Sequence, residues 1–131
     1  MESSREQEAF SLVKRAKNLT HALRGLRVLI QTTPNVWVHF GSALLAIIFG
    51  FLFSISSTEW LFLVLSIGLV IGAEAFNSAI EVDIDLTSPE YHPFARDTKD
   101  LAAGAVLIMG ITTWIIGAII FFPKIHAYFF S

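Results

Sequence analysis

Cysteine is absent from this chain, which removes disulfides, thiolate zinc sites and thiol nucleophiles from consideration. Charge is scarce: Asp, Glu, Lys and Arg make up 15% of the residues, against about 25% in soluble domains. There is no basic excess, since nine Lys and Arg face eleven Asp and Glu for a net charge of −2; nucleic acid is not indicated as the main partner. The eight glycines form neither G-x-x-x-x-G-K-[ST] nor G-x-G-x-x-G, and H-E-x-x-H does not occur. The common phosphate loops and the helical metalloprotease motif are therefore excluded. At 131 residues the chain has the size of one domain, too short for a two-lobed protein kinase or a (β/α)8 barrel. What it does have is apolar residue, 54% of the total, with a mean hydropathy of +0.65. That excludes disorder and indicates a small membrane protein.

Three runs carry the hydrophobicity: Val36–Ser56, Trp60–Ile80 and Leu101–Phe122. Each has about the 20 residues that a helix needs to cross the hydrocarbon core. Backbone groups there must be satisfied internally, so helices are expected over all three. About 35 mostly polar residues precede the first run, the wrong architecture for a cleaved signal. The fold class expected is an all-α membrane protein with three transmembrane helices after an N-terminal surface helix. Arg5, Lys14, Arg15, Lys17, Arg24 and Arg27 precede the first run, and Arg96 and Lys99 lie between the second and third. The positive-inside rule then puts the N-terminus and residues 82–100 in the cytosol, with Glu59 and Lys124 outside.

Residues 5–30 have the pattern of an amphipathic helix. Leu12, Ala16, Leu19, Leu23, Leu26 and Ile30 share one stripe at 100° per residue, opposite Lys14, Lys17, His21 and Arg24. Such a helix lies in the interface with its cations near anionic headgroups. It can serve as an anchor only, or its cations can also meet a phosphorylated ligand. Thr33-Pro34 is expected to end it.

Glu74 is the most informative residue. A carboxylate within an apolar run is costly and marks a functional site by default; this one lies roughly 10 Å in from the cytosolic end of its span at 1.5 Å per residue. On a helical wheel Asn77, Ser78, Glu81 and Asp85 fall within about 60° of it, whereas Asp83 falls opposite and is read as solvated. A purely structural account makes this stripe a polar seam between helices, which Asn77 and Ser78 alone would fit. Two carboxylates at i and i+7 do not fit it, because packing needs no net charge. A desolvated carboxylate holds a proton more tightly than a solvated one, which suits a general base, and a shallow one suits a hard divalent cation. Gly68, Gly72, Ala75 and Ala79 form a second stripe of small residues that permits close helix packing.

The segment after span two, Asp85–Asp100, concentrates Glu90, Tyr91, His92, Arg96, Lys99 and Asp100. Thr87 or Ser88 ahead of Pro89 is a helix-start signal. Lys99, where span three emerges, is placed to meet the stripe, and a lysine there suits phosphate as a point charge.

The run Glu74-Ala75-Phe76-Asn77-Ser78-Ala79-Ile80-Glu81, with Asp85, Pro89-Glu90-Tyr91-His92 and Lys99-Asp100, closely resembles the prokaryotic diacylglycerol kinase/undecaprenol kinase family. The resemblance implies a small homotrimeric lipid kinase with active sites shared between subunits, in the bacterial cytoplasmic membrane, with ATP and Mg²⁺ as cofactors. It implies Glu74 as the base for the lipid hydroxyl and Asn77 as a polar partner beside it. It implies Glu81 as the carboxylate holding Mg²⁺. Lys14, Glu90, Tyr91, His92, Lys99 and Asp100 would contact the nucleotide. Where the family has a second metal-binding Glu before the first span this chain has Thr33, and Trp37 replaces an Arg, while Asn35 and His39 remain. The Ser88-Pro89-Glu90-Tyr91-His92-Pro93 loop looks more like the undecaprenol branch than the diacylglycerol one. Two other functions stay open: a catalytically degenerate member acting as a membrane assembly or lipid-binding protein, suggested by Thr33, and an ion-conducting trimer using Glu74 as a relay, which gives no reason for the Tyr91-His92 and Lys99-Asp100 elements.

Overall fold

A computed structural model describes residues 2–131, with side chains described at Ser4, Gln7 and from residue 11 onward. The side chain of Arg5, counted with the basic residues above, lies outside the described residues. The described residues form four helices and no strand: α1 (Glu2–Thr32), α2 (Pro34–Leu52), α3 (Ser57–Thr87) and α4 (Pro93–Phe130). α2, α3 and α4 are long and apolar enough to cross a membrane. The chain forms two compact units, one ending at Thr33 and the other comprising Pro34–Ser131.

In the first unit α1 leaves Leu12, Leu19, Leu23 and Leu26 exposed along the stripe expected from their spacing. The last turn is closed by Thr33 N donating to Leu29 O at 3.0 Å. Pro34 then opens α2, a position that needs no backbone N–H.

In the second unit the first span is shorter than the run 36–56, because α2 stops at Leu52. Ser54 adopts a left-handed φ of 48°, Ser54 N donates to Phe51 O at 3.2 Å and Ile55 N to Gly50 O at 3.1 Å. Those two bonds make a Schellman close, with serine where glycine is usual. Ser56 caps α3: its hydroxyl accepts from Glu59 N, and Glu59 returns a bond to Ser56 N. Gly50 is required here, since a Cβ on it would sit 2.6 Å from the Trp60 ring. The core gathers at this turn end, where Ile55, Leu63, Ile120 and Phe121 are buried. The Phe49 ring meets both Phe53 and Phe121 at 6.0 Å.

α3 and α4 run antiparallel and are tied at three levels. Lys124 pairs with Glu59 near the turn, Thr113 Oγ1 donates to Ser66 O at 3.3 Å midway, and Lys99 Nζ meets Asp85 Oδ1 at 2.6 Å at the far end. Both helices outrun the expected spans 60–80 and 101–122. With 31 and 38 residues they are roughly 46 and 57 Å long at 1.5 Å per residue, against a hydrocarbon core of about 30 Å. The expected loop 82–100 therefore shrinks to residues 88–92. Nothing between Glu81 and Thr87 breaks a helix, so α3 continues through the polar residues until Pro89. The helix start expected at Thr87 or Ser88 is corrected: Ser88 is the C-cap of α3. The cap of α4 is His92, whose Nδ1 accepts from Phe94 N at 3.2 Å, with Pro93 at the first helical position. α4 also passes through Pro123 to Phe130 instead of ending at Phe122.

Among the described residues, nothing closes on the two glycines of the small-residue stripe. An ideal Cβ at Gly68 or Gly72 would have no heavy atom within 4 Å. A groove of about 750 Å³ opens between His39 of α2 and Ala103, Val106, Gly110 and Trp114 of α4.

Candidate active site

The polar stripe of α3 is graded in depth. Glu74 is 1% exposed and Asn77 8%, Ser78 is half-buried, and Glu81 and Asp85 are exposed. One helix face thus runs from the interior of the second unit to open surface within three turns. Glu74 is buried within the second unit, and none of the ion pairs among the described residues reaches its carboxylate. A buried carboxylate without a basic partner is costly to hold, so this position suits proton exchange with a bound hydroxyl. Asp83, read as solvated, is exposed.

Asn77 joins the two carboxylate levels. Its Nδ2 donates to Glu81 Oε1 at 3.2 Å, one turn along the helix. Its Oδ1 is buried and has no partner. Glu81 keeps the rest of its carboxylate toward the surface, where hard oxygen donors suit a divalent cation.

Lys99 belongs to this surface, as its position at the end of the apolar run led one to expect. It sits on the polar first turns of α4, before the apolar run begins at Leu101, and its ammonium donates to Asp85 at 2.6 Å. That bond raises its pKa above the ordinary lysine value, and the charges of Asp85 and Glu81 act in the same direction. The ammonium therefore stands beside Glu81 as a fixed positive charge. Asp85 is the residue for which the sequence suggested no role beyond sharing the stripe; the signal was its place one turn beyond Glu81.

The remaining site residues are less tightly drawn together. Glu90, Tyr91 and His92 form the exposed 88–92 connection, with Tyr91 77% exposed. Asp100 is exposed and pairs with Arg96 at 3.6 Å. Lys14 is exposed on α1, in the other unit. Thr33 is half-buried at the end of that unit. Among the described residues no three of His, Asp and Glu converge as a ready metal cage. The donor set is instead the Glu81 carboxylate, exposed and holding only the Asn77 amide, with Asp85 engaged by Lys99. Such a set fits Mg²⁺ that arrives with phosphate oxygens and keeps its waters, because that ion needs few protein ligands.

Three apolar helices, a buried unpaired carboxylate and an exposed carboxylate beside a lysine define a multi-pass membrane protein with an acidic site at one end of its longest hairpin. The sequence profile of prokaryotic diacylglycerol kinase matches residues 20–121. The undecaprenol kinase of Bacillus subtilis (strain 168) is 39% identical over 109 residues, covering 83% of this chain and 89% of the relative. The diacylglycerol kinase of Helicobacter pylori is 43% identical over 56 residues, 43% of each chain. That of Escherichia coli (strain K12) is 33% identical over 78 residues, 57% of this chain and 64% of the relative. The chain belongs to the prokaryotic diacylglycerol kinase family. It is a membrane lipid kinase.

Proposed function

We propose that this kinase moves the γ-phosphate of MgATP onto the hydroxyl of undecaprenol, with diacylglycerol as the lesser acceptor, at the cytosolic face of the bacterial inner membrane. The burial of Glu74, with no ion pair to it among the described residues, carries this reading. In it Glu74 takes the proton of the lipid hydroxyl, while Glu81 would hold Mg²⁺ on the triphosphate. ATP supplies the phosphoryl group, and bound Mg²⁺ neutralises charge on its oxygens. Lys99 offsets phosphate charge, and Glu90, Tyr91, His92, Asp100 and Lys14 contact the nucleotide. Phosphoryl transfer asks for placement and charge more than covalent help, which is why a short chain without a phosphate loop suffices.

The preference for undecaprenol is supported by the match to the Bacillus subtilis enzyme, which spans 89% of that relative. Active sites shared in a homotrimer are supported by the uncovered Gly68 and Gly72 and by a nucleotide side that holds few groups close together. Residues 1–131 then act as one lipid-kinase domain. The degenerate alternative rests on Thr33, which offers no carboxylate.

The test is transfer from ATP by purified protein in mixed micelles, with undecaprenol and 1,2-diacylglycerol compared at equal mole fraction. Faster product from undecaprenol is expected; faster product from diacylglycerol reverses the preference. No product from either, together with absent Mg²⁺-dependent ATP binding, establishes the degenerate alternative instead.

A further inference from the structure

Asn77 is more than nine-tenths buried, and the two ends of its amide are treated differently. Nδ2 donates to Glu81 Oε1. An ionised carboxylate only accepts hydrogen bonds, so the nitrogen must face Glu81 and the orientation of the amide is fixed by chemistry. Oδ1 is thereby committed to the other side, where it is sealed from solvent and unpartnered. Buried amide oxygens are nearly always satisfied, and an orphan costs folding stability. One turn away on the same face lies Glu74, a carboxylate that is buried as well. A buried acceptor without a donor, one turn from a buried carboxylate, marks the place of a group that brings its own hydrogen.

We propose that Asn77 Oδ1 accepts the hydrogen bond of the lipid alcohol awaiting phosphorylation, so that one amide ties the acceptor hydroxyl to the carboxylate on the nucleotide side. This rests on the kinase reading above. A hydroxyl hydrogen turns freely about its C–O bond, so the proton held by Oδ1 in the waiting complex swings to Glu74 when the reaction begins. The alcohol oxygen then bonds to the γ-phosphorus, its proton stays on Glu74, and the bond from phosphorus to the bridging oxygen breaks with its electrons leaving on ADP. Asn77 exchanges no proton. It holds the oxygen in register, and because its other end grips Glu81, movement on the nucleotide side is felt by the lipid hydroxyl.

The proposal separates lipid binding from nucleotide binding at a single residue. Asn77→Leu keeps the branching of the side chain and removes both polar ends, including the unpaired oxygen. Its KM for undecaprenol should rise about tenfold, the loss of one buried hydrogen bond, with a smaller fall in kcat. Asn77→Asp keeps an acceptor oxygen but sets a like charge against Glu81. Its KM for undecaprenol should stay near the wild-type value while its KM for ATP rises. A second arm needs no turnover: thermal unfolding of full-length protein in micelles with undecaprenol or undecaprenyl methyl ether, which lacks the donor. Wild type should be stabilised more by the alcohol than by the ether, and Asn77→Leu equally by both. Equal stabilisation of wild type by the two probes overturns the proposal, as does a raised lipid KM in Asn77→Asp matching that of Asn77→Leu. If Asn77→Leu does not fold, the wild-type probe comparison and Asn77→Asp decide. Transfer to undecaprenol by wild type with an unchanged lipid KM in Asn77→Leu removes this proposal alone; no transfer to any lipid alcohol removes the kinase reading and this proposal with it.

Discussion

The two ends of the α3–α4 hairpin each carry a lysine–carboxylate pair, yet they are built on opposite principles. At the turn end, Glu59 is satisfied twice, by the Ser56 backbone and by Lys124. It stands over a core of Ile55, Leu63, Ile120 and Phe121. At the 88–92 end Asp85 of the pair Lys99–Asp85 is largely open to solvent, and behind it lie the buried Glu74 and the buried Asn77, whose Oδ1 has no partner. One end pairs its carboxylate within the chain, and the other leaves a buried acceptor waiting. The difference separates what folds this protein from what it does. Exposed ion pairs add little to stability, so the second pair is better understood as a charge held ready.

Substitutions at the two ends should therefore fail in different ways. Glu81→Gln has the largest expected effect on nucleotide binding: the KM for MgATP rises about 100-fold, the upper range for weakening a metal ligand shell, while the thermal midpoint is unchanged. Lys99→Met follows, with a KM for ATP raised about tenfold by loss of one charge-assisted phosphate contact, again without loss of stability. At the turn end, Gly50→Ala drives a methyl against the Trp60 ring and should cost about 1–3 kcal/mol, seen as a lower thermal midpoint with normal kcat per folded molecule. Ser56→Ala is the mildest, about 1 kcal/mol from the lost cap. A turn-end variant that changes the KM for ATP without changing stability would erase the distinction between the ends.

Much of this was legible in the sequence because the bilayer simplifies the problem. Apolar runs of span length have one viable structure, and all three expected spans are helices. Their ends were not legible: the membrane sets where apolar residues stop, whereas proline, caps and turn geometry set where helices stop. Ser54 took the left-handed turn position without being glycine, and His92 took the cap that Ser88 had been expected to supply. The shared face of Glu74, Asn77, Glu81 and Asp85 followed from helical period alone. The bond between Lys99 and Asp85 did not, since it depends on the antiparallel register of α3 and α4. Nor did the unpaired Asn77 oxygen, which is visible only once every neighbour is in place.

The central claim is that the buried carboxylate at position 74 accepts the proton of a lipid alcohol. It is tested most directly by the rate of phosphate transfer to undecaprenol in Glu74→Gln, beside wild type, with ATP affinity and thermal midpoint measured on the same samples. A fall in kcat of about 10²- to 10⁴-fold, with ATP binding and folding retained, is the predicted result. Transfer by Glu74→Gln at the wild-type rate would contradict the claim.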